Sequence, residues 1–306
     1  MLWYVVKRLL ESGLVLIGAS LLVFVVLRVI PGDPIVMMYG TEVDPRVVEA
    51  ERQRLGLDRP ILVKYGFFVQ HIITGDLGES LRYRRPSVQV VAEALPATIE
   101  LATTAMVWAV LLGVPAGIFA AYYRGGVWDR VVMVISLVGQ CTPTFWLGIL
   151  FMLLFAVNLH WLPTSGRGTP QHLILPSVTL GLYMVALLSR LTRSCMLDVL
   201  DQDYLRTARA KGLPERIVVG IHALRNAFIP IVTVIGLQTG ALLGGAIVTE
   251  AVFAWPGIGN LAVQATNTRD YNLVQAVALL SAGVFVLINL TIDVLYTYLD
   301  PTVRFS

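Results

Sequence analysis

Histidine and cysteine are scarce in these 306 residues, four and two respectively, and that scarcity excludes several kinds of chemistry. Cys141 and Cys195 lie in or at the inner end of apolar segments, so they provide no disulfide framework. His71, His160, His172 and His222 are scattered without i,i+4 pairing, so no metal site is expected of this chain. His160 and His172 share one short connection and read as polar loop residues. Absent as well are the G-x-x-x-x-G-K-[ST] phosphate loop, the H-E-x-x-H zinc helix and the G-x-S-x-G nucleophile elbow. The chain is therefore expected to carry no catalytic residue, cofactor-binding residue or metal ligand, and a membrane-embedded enzyme would need a nucleophile or metal pair that is missing.

Charge is also sparse, at 14% of residues against 56% hydrophobic, and the mean hydropathy is +0.73. Such a composition belongs to a membrane protein. A helix needs about 20 mostly apolar residues to span the hydrocarbon core. Six segments approach or exceed that length: Ser12 to Ile30, Leu101 to Ala121, Val131 to Leu159, Leu173 to Ser189, Asn226 to Thr249 and Asn272 to Ile292. The fourth is short, and the third is long enough to tilt or to break at Pro143. The first follows Lys7 and Arg8 as a secretory signal would, but it is too long and ends in "RVIPGDP" without a cleavage site, so it reads as a retained helix.

Orientation follows from the basic residues of the short connections. With the N-terminus inside, the inner pieces hold Lys7, Arg8, Arg124, Arg130, Arg190, Arg193, Arg206, Arg209, Lys211, Arg216, Arg225 and Arg304, and the short outer ones only Arg167 and Arg269. Both termini are thus expected in the cytoplasm. Topology accounts for the net charge of +3, and no nucleic-acid partner is implied.

Three regions result: residues 1–30 with the first span, a long outer connection at 31–98, and a core of five spans at 99–306. In the connection, Asp44, Pro45 and Gly56 have the cap spacing of one helix, Pro60 to Ile73 reads as a second, and "TGDLGESLRYRRP" reads as turn and loop. Residues 250–271 place Trp255, Pro256, Gly257 and Gly259 in a tight turn, either a hairpin dipping toward the membrane with an interfacial aromatic or an ordinary loop.

Polar residues inside the spans are read as a solute lane or as interhelical hydrogen bonding. They are Gln140, Thr142 and Thr144 around Pro143, Gln238 and Thr239 in the fifth span, and Asn289 with Asp293 in the sixth; hydrogen bonding is preferred for Asp293, near the inner interface. No chain of acidic and basic residues crosses the spans, which weighs against a proton-driven secondary transporter. Gly236, Gly240 and Gly244 form a small-xxx-small face on the fifth span, and Gly113 and Gly117 repeat the pattern on the second. Both mark close helix packing, with a partner in this chain or another.

The inner connection at residues 190–225 is the most distinctive stretch. Tyr204 to Ala210 reads as a short helix, with Leu205 and Ala208 on one face and Arg206, Arg209 and Lys211 around the other. Gly212 ends it and Pro214 begins a second helix containing Glu215, Arg216, His222 and Leu224. The result is a knob: a plain loop, or a plug for a cytoplasmic partner.

This stretch resembles the conserved cytoplasmic loop of ABC-importer permeases, whose pattern is E-A-A, three residues, Gly, nine residues, then I-x-L-P. With Gly212 on the family glycine, Arg206, Thr207 and Ala208 take the E-A-A slots, and His222, Leu224 and Arg225 take the I, L and P slots. Ala208, Gly212 and Leu224 match the general pattern. "YLRTARAKG" and "HALRNAFIPIVT" are similar to the form found in the dipeptide, oligopeptide, glutathione and nickel branch, as are "YVVKRLLES", "IPGDP", "RLGLDRPILVKYG", "GDLGES", "LPATIELA", "LPTSG", "ILPSVTLG", "SRLTRSCMLDVL", "VFAWPGIG", "RDY" and "DVLYTYLDPTVR". The chain is identified as a member of that family, in its first, B-type permease subunit.

The resemblance implies an all-α type I permease fold of six membrane helices in a bacterial inner membrane. It implies a homologous second permease, two ATP-binding subunits that hold ATP and magnesium, and a periplasmic or extracellular solute-binding protein. Arg206, Thr207, Ala208, Arg209, Lys211, Gly212, Leu213, Pro214, Glu215, His222 and Leu224 would form the coupling element seated on an ATPase. The implied activity is import of small peptides or glutathione by ATP-driven alternating access, with nickel or another chelated metal as the alternative cargo and a secondary transporter as the reading outside the family.

Overall fold

The computed structural model describes residues 2–29, 46 and 60–299. The helix expected between Asp44 and Gly56 lies outside them, as does the side chain of Asp293. Among the described residues the regular elements are helical, apart from one antiparallel bridge between Glu79 and Pro86. In order they are α1 (Leu2–Val29), α2 (Ile61–Thr74), α3 (Ser87–Tyr122), α4 (Val127–Cys141), α5 (Thr144–Phe151) continuing as a π-helix (Met152–Asn158), α6 (Pro170–Leu200), α7 (Asp203–Ala210), the single turn α8 (Glu215–Ile217), a second π-helix (Val218–Ala223), α9 (Leu224–Val252), α10 (Ile258–Asn267) and α11 (Tyr271–Leu299). Five helices are long and apolar enough to cross a membrane, and α4 with α5 makes a sixth candidate bent by 103°.

Proline chemistry explains that bend. Pro143 supplies no N–H and disfavours helical backbone in the residue before it. Thr142 and Pro143 accordingly adopt extended conformations, with φ/ψ of −80/126 and −61/131. The break expected at Pro143 is where α4 stops.

Two helices outrun their apolar segments. The 36 residues of α3 begin at Ser87, not at Leu101, because residues 87–98 are amphipathic: their polar members lower the hydropathy while Val90 and Val91 are buried. The 31 residues of α6 continue past Ser189 to Leu200. The charges that end its apolar run do not end the helix, because the Arg193 guanidinium grips the Asp129 carboxylate at 2.5 and 2.7 Å.

The chain divides into two compact units. One comprises the described residues up to Pro96 together with Gly257–Leu290. In it α1 meets α2 through Phe24, whose ring lies 5.1 Å from Tyr65 and 5.5 Å from Phe68, and Leu77, Val90 and Val91 join Ile258, Leu261, Leu273 and Ala276 in a second cluster. Residues 258–267, expected in a loop or hairpin, form α10.

The other unit comprises Ala97–Pro256 and the described residues from Thr291. Its core is the close approach of α3 and α6. A Cβ at Gly113 would lie 2.9 Å from the Val185 carbonyl oxygen, one at Gly181 would lie 2.8 Å from that of Ala105, and one at Gly117 would strike the Ser189 carbonyl oxygen. The glycine face of the second span therefore packs within the chain. The other glycine face divides: a Cβ at Gly236 would lie 2.6 Å from Ile292 Cγ2, Gly240 is buried, and Gly244 faces open space. Because α6 backbone cannot retreat from α3 without unpacking the core, Gly117→Leu should destabilise the protein by about 1–3 kcal/mol or more. Thermal unfolding in detergent should show the loss, and Gly13→Ala, at an open position, should leave the transition unchanged.

Candidate functional site

The knob at residues 203–224 is packed on its underside. Leu205, Val218 and Ala223 are fully buried, and with Ala208 and Val219 they cluster against Ala121 at the end of α3 and Met196 near the end of α6. The solvent side presents Arg206, Thr207, Arg209, Lys211 and Gly212. Alternation of apolar and basic residues along a short helix produced this division, and Leu205 and Ala208 take the buried face expected of them.

The corner is a Schellman motif. The Gly212 N–H donates to the Arg209 carbonyl at 2.9 Å and the Leu213 N–H to that of Ala208 at 3.4 Å. Gly212 sits at φ +77, a conformation nearly free for glycine and costly for residues with a Cβ. Leu213 lies against the same apolar cluster, supplying the contact that accompanies this cap. Pro214 is the N-cap of α8, in extended conformation, instead of its first helical residue. The second helix is also less separate than expected: α8 runs through the π-helix directly into α9, so the knob is continuous with the fifth span.

Arg209 has a partner within the knob. Its Nη2 donates to Glu215 Oε1 at 2.9 Å, its Nε to the same carboxylate at 3.2 and 3.3 Å, and its Nη1 to the Leu200 carbonyl at 3.4 Å. The Glu215 carboxylate raises the guanidinium pKa above its ordinary value through that hydrogen bond, against a smaller lowering by burial. Arg209 thus ties the two sides of the corner to the end of α6. Arg206 reaches Asp203 at 3.4 Å, with both side chains largely in solvent. His222 is exposed, and Leu224 is half-buried against the knob's core.

The polar residues of the spans mostly satisfy themselves. Thr142 donates to the Val138 carbonyl, Thr239 to that of Ile235 and Asn289 to that of Phe285, the i−4 bonding common for such residues inside helices. Gln140 instead accepts from Arg190 Nη1 at 2.5 Å. Thr144 follows the Pro143 break and Gln238 is half-buried on α9.

A second constellation, at the opposite end of the same unit, escaped sequence reasoning. Glu250 is completely buried and accepts from Thr98 Oγ1 at 2.7 Å. Trp255, expected at a membrane interface, is 1% exposed, and its Nε1 donates to the Ala97 carbonyl at 2.8 Å. The Arg167 guanidinium lies 5.8 Å from the Trp255 ring centroid and is bonded to Glu100. The only sequence signal was an acidic residue closing an apolar run, which also describes an ordinary loop boundary. At the knob's end Arg124 pairs with Asp201 at 3.0 Å, so the connection after α3 and the knob lie together.

Residues 113–305 match the family described as binding-protein-dependent transport system inner membrane component, and residues 1–102 match its N-terminal companion. The chain is 47% identical to the glutathione transport system permease protein GsiC of Salmonella typhi and of Escherichia coli strain K12, over 306 residues that cover all of each chain. The inward-facing crystal structure of the MetNI methionine ABC transporter superposes with a TM-score of 0.58 at 18% identity, covering 70% of this chain and 98% of that one.

Proposed function

Since the chain belongs to the binding-protein-dependent inner-membrane components of ABC importers, in the peptide branch, we propose that it forms half of a translocation pathway for glutathione or similarly small peptides, driven by ATP that other subunits hydrolyse. Full-length likeness to permeases named for glutathione transport supports the cargo. The packed knob with its positive-φ glycine supports the coupling. In this reading both termini are cytoplasmic, with Lys and Arg concentrated on that side, and a homologous permease lies across the pathway, for which the open Gly244 is one contact. Two ATPase subunits, holding ATP and magnesium, seat the knob, and a soluble binding protein delivers cargo to the other side.

Mechanically, a stiff knob continuous with α9 and packed on the ends of α3 and α6 moves with those helices as a body. Closure of the ATPases on nucleotide then becomes a rigid-body displacement of the spans. Purification of the tagged subunit should bring down the second permease and two ATPase chains; isolation without an ATPase would point to a secondary transporter. Mass spectrometry of the binding protein's retained ligand should show glutathione or a peptide. A nickel chelate in its place would overturn the cargo.

Arg209 and Glu215 provide a sharper test. The pair is partly exposed, so by itself it contributes at most about 1 kcal/mol, yet it fixes the angle of the corner. Arg209→Glu and Glu215→Arg should each reduce ATP-coupled uptake in proteoliposomes, and the double exchange should restore much of it. An exchange as defective as Arg209→Glu alone would instead place Arg209 in contact with an ATPase.

A further inference from the structure

One carboxylate fastens two turns of the first unit. Asp270 is completely buried. Its Oδ2 accepts the Ser80 hydroxyl at 2.5 Å and the Arg82 N–H at 3.3 Å, while its Oδ1 accepts the Leu273 N–H at 3.2 Å and caps α11. The turn between Glu79 and Pro86 closes on itself through Ser80 N–H to the Arg85 carbonyl at 2.9 Å and Arg84 N–H to the Ser80 carbonyl at 2.8 Å. Asn272 Nδ2 adds a bond to the Glu79 carbonyl at 2.9 Å. The segment read from sequence as loop is therefore a rigid tongue.

Arg82, Arg84 and Arg269 are exposed on these two turns. Arg84 and Arg269 sit at φ +50 and +54, in the left-handed region that disfavours residues with a Cβ. Among the described residues neither guanidinium has a carboxylate partner, whereas Arg85 beside them holds Glu93 at 2.9 Å. The Arg82 guanidinium lies 5.8 Å from the Tyr83 ring centroid, which steadies it.

We propose that Arg82, Arg84 and Arg269 form a preset docking surface for an acidic patch on the soluble binding protein. The proposal rests on the permease reading, which puts this connection on the side where that protein arrives. Backbone strain persists at such positions when the surroundings over-determine it and function uses it. A backbone held in place presents the arginines from fixed points, which favours a partner that offers carboxylates in matching positions, because planar fork-to-fork bonding depends on geometry. An anionic lipid surface attracts any basic segment whatever its backbone, so a fixed and strained backbone beneath the arginines gains nothing there. The exposed charges also accelerate encounter with an acidic partner, in a salt-dependent way.

The test uses the complete transporter in nanodiscs of neutral lipid and its cognate binding protein loaded with glutathione. In the double variant Arg84→Gln with Arg269→Gln, the binding-protein concentration for half-maximal ATPase stimulation should rise about tenfold at low salt, with basal ATPase unchanged and the salt dependence flattened. Arg85→Gln, which removes a paired arginine, should behave as wild type. A double variant within about twofold of wild type overturns the docking surface, and so does a defect that appears only in anionic-lipid discs, which would assign these arginines to the membrane. Failure of the binding protein to stimulate even the wild-type complex would overturn the permease reading itself, and this surface with it.

Discussion

Gly212→Val is expected to abolish ATP-coupled uptake while leaving membrane insertion and binding-protein docking intact. No atom lies within 4 Å of the position a Cβ would take, so valine meets no clash and its effect is confined to the backbone. At φ +77 a β-branched residue costs on the order of 1–2 kcal/mol, and escape to negative φ breaks both hydrogen bonds of the cap. A valine that stays strains the corner, and one that escapes turns α8 away from α7, pulls Leu213 off its apolar contacts and separates Arg209 from Glu215. A local cost of this size cannot unfold the membrane helices, yet it misdirects the one element that must fit another protein.

Gly212→Asn provides the control, because asparagine tolerates the left-handed region. It should retain most uptake, although it places a larger side chain at the knob's tip. Stimulated ATPase activity and uptake in proteoliposomes, with insertion verified for each variant, make the comparison. If valine imports at the wild-type rate with stimulation intact, the knob is not the coupling element; if asparagine fails as completely as valine, the tip needs glycine for lack of room against the partner and not for its φ.

Trp255→Ala should have the largest effect on stability, about 3–5 kcal/mol. It empties the volume of a side chain that is 1% exposed, removes the donor to the Ala97 carbonyl and takes away the ring beneath Arg167. Because Ala97 and Thr98 are adjacent, α3 is fastened to the end of α9 by two successive hydrogen bonds, one from the indole and one to Glu250. Trp255→Phe keeps most of the bulk and should cost only about 1 kcal/mol for the lost hydrogen bond. Thermal unfolding of the detergent-solubilised complex ranks the two. Equal transitions for Trp255→Ala and wild type would mean that the indole is not a packing anchor.

Most of the knob was legible in the sequence, since its information is local. A helix face, a C′ glycine and a following proline are patterns within a dozen residues. The Arg209–Glu215 tie was not, because whether two charges six apart meet depends on how far the chain turns between them. The glycine faces were legible as close-packing surfaces, but only the fold placed α6 against Gly113 and Gly117 and left Gly244 open. The reach of α3 and α6 was misjudged for one reason: apolar length ends at the first charges, whereas helix length ends where hydrogen bonding does.

By itself the sequence determined the membrane class, the apolar segments, the break at Pro143 and the glycine corner, because each follows from hydrophobicity or backbone stereochemistry that acts residue by residue. Only the tertiary structure decided which charges are paired, that Trp255 faces inward, that residues 258–267 are helical, and that Asp270 binds the tongue to α11. Those outcomes join groups as many as 190 residues apart, Ser80 and Asp270 among them. No periodicity along a chain encodes such meetings, which arise when packing removes water and leaves each buried polar group to find its partner within the protein.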